Sequence, residues 1–131
     1  MDTSFKVDAS YLQAFTESMR APFSHVVKDV AGLLGPKLVA YIAGIVETRS
    51  LQLWADGGKP KNPDTEQRLR LAAQLAKLVT VRDNPSVAQA WFQGLNPQLD
   101  DRSPAKLLRE GDVADVGPKL LAAARAFVIG G

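Results

Sequence analysis

The chain has 131 residues, 16 basic against 14 acidic, no cysteine and 46% apolar content. That is enough apolar matter to build a core, and it excludes a disulfide framework, a thiolate metal site and a disordered chain. The longest apolar run, Leu38 to Val46, is about half the ~20 residues a membrane helix needs, and "MDTSFKVDAS" lacks the basic start and apolar block of a secretory signal. A soluble, cytoplasmic protein is expected.

Apolar residues recur at helical spacing along nearly the whole sequence, and no alternating run is bounded by hairpin turns. The predicted fold class is therefore all-α. Tyr11, Leu12, Phe15 and Met19 line one face of a first short helix. Phe23, Val26, Val27, Val30 and Leu34 line a second after Pro22, and Gly35 ends it. Pro36 opens a third, with Leu38, Val39, Ile42 and Ala43 apolar, and Gly44 breaks it. A short helix follows from about Glu47 to Asp56, stopped by Gly57-Gly58. "KPKNPD", Lys59 to Asp64, is a polar loop. The longest helix runs from about Thr65 to Val81, with a buried stripe at Leu69, Ala72, Ala73, Ala76 and Leu78 or Val79. Asn84 and Pro85 start the helix that carries Trp91 and Phe92.

From Pro36 to Arg82 eight basic residues stand against four acidic ones, net +4, which leaves net −2 for the remainder. This positive middle has the layout of a helix-turn-helix over about residues 36–57. Ala40 is the small residue at the close approach, Gly44 makes the turn, and Leu51 and Trp54 anchor the second helix. Thr48, Arg49 and Gln52 then point outward, where Arg can read guanine and Gln adenine, while Lys59, Lys61 and Arg68 hold phosphates. Seven residues separate Gly44 from Leu51, one more than usual, so either the turn is longer or the register differs.

"GLNPQLDDRSPAKLLREGD", Gly94 to Asp112, has its own local mechanics. Asn96 caps and Pro97 opens a short turn, Leu99 tucks inward, and Asp100-Asp101-Arg102 stays in water. Ser103 and Pro104 start a short helix with Leu107-Leu108 buried, and Gly111 ends it. Asp112 caps a last helix to about Val128, striped by Val113, Val116, Leu120, Leu121, Ala124 and Phe127. Gly117-Pro118 is expected to interrupt it, because Pro118 lacks a donor and clashes one turn back. The product is a stiff knob with a polar rim and an apolar centre, a kind of surface that suits a protein partner.

Trp91 to Asp112 and the helix after it resemble the toxin-binding domain of the Xre/MbcA/ParS-type antitoxins. An aromatic helix is followed by Asn-Pro-x-Leu, a polar turn, Ser-Pro-x-x-Leu-Leu and a Gly, matched by Asn96, Pro97, Leu99, Arg102, Ser103, Pro104, Leu107, Leu108 and Gly111. The middle segment is similar to the helix-turn-helix of the same proteins, ending in Trp-x-x-Gly at Trp54 and Gly57. The resemblance implies a helical bundle over residues 1–82 and a toxin-binding domain over 83–131. It implies an antitoxin that neutralises a RES-domain toxin, one that consumes NAD or transfers ADP-ribose from it, and that represses its own operon. The toxin would be touched by Asn96, Pro97, Leu99, Arg102, Lys106 and Arg109, and by a tail of Arg125, Phe127, Val128 and Ile129. The alternative is a solitary regulator, a homodimer that binds operator DNA without a cognate toxin.

No enzyme is expected. His25 is the single histidine and has no Cys or second His beside it for a metal. Asp100, Asp101 and Glu110 read as solvated acids, Trp54 and Trp91 as core anchors, and no phosphate-binding Gly loop or Ser-His-Asp set is present. Neither a metal nor a cofactor is predicted.

Overall fold

One capping device recurs through the computed structural model, which describes residues 21–130. Asn62, Asn84, Asn96 and Ser103 each precede a proline and accept a backbone N–H from the turn that follows. The side chain satisfies an orphan donor, and the proline sits where no donor is needed. The elements are α1 Phe23–Leu34, α2 Pro36–Ala43, α3 Arg49–Ala55, α4 Pro63–Val79, α5 Pro85–Gln93, a 3-10 turn Pro97–Leu99, α6 Pro104–Glu110 and α7 Val113–Gly130. Every regular element is helical, as the spacing predicts. Among the described residues the β geometry amounts to an isolated bridge, Asn96 to Arg102. The helix expected around Tyr11 to Met19 lies outside the described residues.

Two helix boundaries differ from expectation for local reasons. The segment assigned to a polar loop ends early, because Asn62 accepts from the Asp64 N–H at 2.9 Å and α4 begins at Pro63 instead of Thr65. The break expected at Gly117-Pro118 is absent, and α7 is continuous through both residues. Pro118 is the sixth residue of α7, so the donor it lacks belongs to the carbonyl of Ala114, in the first turn. Ala114 is exposed, so water can supply that donor, and Gly117 is buried on the inner side near Leu71.

The core is organised around α4. A narrow stripe is expected there, but Leu69, Leu71, Ala72, Ala73, Leu75, Ala76, Leu78 and Val79 are all buried and cover a broad arc of the helix, with Glu66, Arg70 and Lys77 half-buried in the remaining gap. So broad an apolar arc needs more than one neighbour. Here α1 and α2 take one side of α4 and α7 takes the other. Arg70, on the same helix, donates to the carbonyl of Ala21 at 2.8 Å and lies over the Phe23 ring, which seats the start of α1. The second half folds back on the first: α5 packs on α1, and α6 packs on α2 and α5. A single buried cluster therefore runs from Phe23 to Val128 across position 82, with Phe92 fully buried within it.

Candidate protein and nucleic-acid interfaces

The Asn-Pro stretch folds into a tight shoulder. The Asn96 carbonyl accepts from the N–H groups of Leu99 and Asp101, both at 2.9 Å, and its side chain accepts from Gln98 N–H at 2.9 Å. Asp100 and Asp101 both take left-handed backbone angles, φ 56° and 60°, and Arg102 N–H reaches back to the Leu99 carbonyl at 3.2 Å. Consecutive left-handed residues belong to the turn that Asn-Gly or Gly-Gly ordinarily makes, and each non-glycine there costs about 1–2 kcal/mol. Pro104, Ala105, Leu107 and Leu108 point inward and hold the shoulder on the core.

The outer side of the shoulder borders a groove of about 420 Å³ lined by Trp91, Leu95, Asn96, Pro97, Ala126 and Phe127, among others. Leu95 is 75% exposed there, an unusual position for a large aliphatic residue. Asn96, Pro97 and Phe127 of the expected toxin-binding set thus share one groove, and Ile129 is exposed on the helix that carries Phe127. Arg102 and Lys106 are exposed; Arg102 also donates through Nε to its own Leu99 carbonyl and lies 3.8 Å from Asp100. Arg125 is half-buried.

Two members of that set are corrected by burial. Leu99 is 3% exposed and Val128 6%, so both are core residues and a partner cannot reach them. Leu99 closes the inside of the 3-10 turn, and Val128 falls on the inner side of α7 with Leu120 and Ala124.

A third and a fourth residue are corrected by what they bind. The last carbonyls of α2 face outward, that of Tyr41 already accepting from the Gly44 N–H at 3.1 Å, and two arginines from distant elements donate to them. Arg109 Nη1 of α6 donates to the Tyr41 carbonyl at 2.8 Å, with its guanidinium 4.7 Å above the Tyr41 ring. Arg68 Nη1 of α4 donates to the carbonyls of Ile42 and Ala43 at 3.4 and 3.3 Å. A cation at a helix C-terminus meets both the free carbonyls and the negative end of the dipole. Arg68, expected at a phosphate, caps α2 through Nη1, and Arg109, expected at the toxin, ties α6 to α2 through its own Nη1. Replacing Arg109 by Ala should lower stability by about 1–2 kcal/mol, from the lost charge-assisted hydrogen bond and ring contact. Arg102→Ala, read by the same urea unfolding, should change it by less than about 0.5 kcal/mol.

Residues 44–48 separate α2 from α3, and α3 rests mainly on α1, where Trp54 meets Phe23 with ring centroids 6.2 Å apart. Thr48, just before α3, and Arg49 and Gln52 on it are exposed, and Lys59 and Lys61 are exposed in the loop after it. Gln52 spends an amide N–H on Asp56 of its own helix at 3.2 Å. Three features of this face escape a reading of the sequence alone. Val46 is 99% and Leu53 57% exposed, and Lys28 of α1 lines the same cleft as Thr48, Arg49 and Gln52. The apolar period of α3 runs through Leu51, Trp54 and Ala55 and leaves Leu53 outside it, and only the docking of α1 on α3 brings Lys28 to that place.

No protein-family model, curated protein or solved structure matches the chain. Among the described residues no cluster of His, Asp and Glu could hold a metal ion, and His25 is exposed on α1. No described helix is long and apolar enough to cross a membrane. Trp54 and Trp91 are both buried as anchors; the Trp91 indole N–H is buried without a partner.

Proposed function

We propose that the chain is an antitoxin whose shoulder and last helix bind and neutralise a RES-domain, NAD-consuming or ADP-ribosylating toxin, and whose α2–α3 region binds the operator of its own operon. The observation that carries this is the groove beside the shoulder, with apolar side chains at its edge. Leu95 stands exposed at its edge, Phe127 is half-buried in its wall, and a strained, hydrogen-bonded turn fixes its rim. Groups held in place before binding lose little entropy on docking, and an exposed apolar anchor gains from desolvation. The site offers a partner contact area and offers a reaction no nucleophile or base.

The test is growth rescue. A RES-domain toxin encoded beside this chain is expressed with it, and the wild-type chain should restore growth. Leu95→Asp and Ile129→Asp should each abolish rescue with the helical content unchanged, because both side chains are exposed and neither holds the fold. Rescue by both variants sinks the groove as the toxin site, and the absence of any such neighbouring gene removes the toxin role.

A second reading, a solitary dimeric regulator, is favoured by one observation. Val46 and Leu53 present apolar surface at the turn and on the outer side of α3, where a second copy could cover it. Light scattering separates the readings: this one requires a dimer that Leu53→Asp converts to monomer.

A further inference from the structure

We infer that Lys28 of α1 and Arg49 of α3 form a two-cation clamp for one backbone phosphate of duplex nucleic acid, a site that rests on the operator-binding part of the proposed function. The two residues line a single cleft of about 420 Å³ between α1 and α3. Its lining includes Lys28, Thr48, Arg49 and Gln52 as polar members and contains no acid. Of the acids near it in sequence, Asp29 lies 3.4 Å from Lys77 Nζ and Asp56 accepts from Gln52, while Glu47, two residues before Arg49, is exposed and does not line the cleft. Neither Lys28 nor Arg49 has an ion-pair partner among the described residues.

The chemistry of the cleft suits a nucleotide backbone in both of its parts. Val27, Ala31, Leu51 and Ala55 supply apolar wall, which can take the hydrocarbon face of a sugar. The cations and the Thr48 hydroxyl stand with it and suit the charged, acceptor-only phosphate. Because the clamp draws one residue from each of two packed helices, a phosphate held between them also fixes how α3 approaches the groove. Contacts of this kind position a protein and carry no sequence preference. Arg49 at the clamp is then a phosphate contact, which leaves base reading to other side chains of α3.

The probe is a fluorescein-labelled random-sequence duplex, titrated by anisotropy over a series of salt concentrations. Lys28→Ala should weaken binding several-fold and make the slope of log affinity against log salt shallower by about 0.9, the loss of one phosphate contact. Lys119→Ala, which removes the same charge from an exposed position on α7, should leave the slope unchanged. Lys28→Gln should behave as Lys28→Ala does, and Lys28→Arg should restore the wild-type slope. If Lys28→Ala and Lys119→Ala change the slope equally while the wild type binds, the clamp is wrong and operator binding stands. If the wild type does not bind duplex at any salt concentration, both fall, and toxin rescue remains as the separate test of the antitoxin role.

Discussion

Phe92→Ala should destabilise the whole chain by about 3–5 kcal/mol, a large part of the ~5–15 kcal/mol that holds a domain of this size together. Phe92 is fully buried on α5, its ring 5.1 Å from that of Trp91, and α5 packs on both α1 and α6. Removing the ring leaves a void that surrounding helices can fill only in part. The two tryptophans make the consequence measurable, since Trp54 sits on α3 and Trp91 on α5. With Trp91→Phe as background, fluorescence reports Trp54 alone. Its urea midpoint should then fall together with the circular dichroism midpoint when Phe92 is truncated. A Trp54 midpoint that stays where it was would show that the core does not run continuously from one half to the other.

Gly111→Ala should cost about 2–3 kcal/mol, for a reason that is steric and not conformational. At φ −94° the backbone of Gly111 is one that any residue adopts. A Cβ there would stand 2.4 Å from Val116 Cγ1 and 2.7 Å from the Leu107 carbonyl oxygen. In a Val116→Ala background part of the cost should disappear, and the part due to the carbonyl should remain, a non-additivity that thermal unfolding of the double variant detects. Gly32 is the contrast. It lies in α1 with nothing within 4 Å of an added Cβ, so Gly32→Ala should be stabilising by about 0.5 kcal/mol. Equal destabilisation at both positions would contradict the packing described between α6 and α7.

What could be read in advance follows from how far the deciding contact lies along the chain. The Asn-Pro and Ser-Pro caps, the glycine after α2 and the inward Leu107-Leu108 pair are all settled within four residues, and the sequence announces each of them. The Asn62-Pro63 start carries the same signature and is obscured only by Lys59, Pro60 and Lys61 before it. The breadth of the buried arc of α4 is hidden because helical periodicity marks the face toward one neighbour, whereas this helix packs on α1, α2 and α7. The site residues divide in the same way. Exposure of Thr48, Gln52, Lys59 and Lys61 follows from local spacing. The positions of Arg68 and Arg109 depend on carbonyls 25 to 68 residues away, and nothing near either arginine in the sequence points to those acceptors. The same distance conceals Lys28, which reaches its cleft only through the packing of α1 on α3.

The guanidinium that joins α6 to the final turn of α2 would, if both proposed interfaces are used, link them thermodynamically. A visitor at the shoulder that draws Arg109 away from Tyr41 loosens the helix leading into α3; one that leaves the contact in place braces it. Linkage then works in both directions: whatever factor the first guest imposes on affinity for the second is returned in equal measure. Through one side chain, occupancy at one end of the molecule becomes a regulator of occupancy at the other.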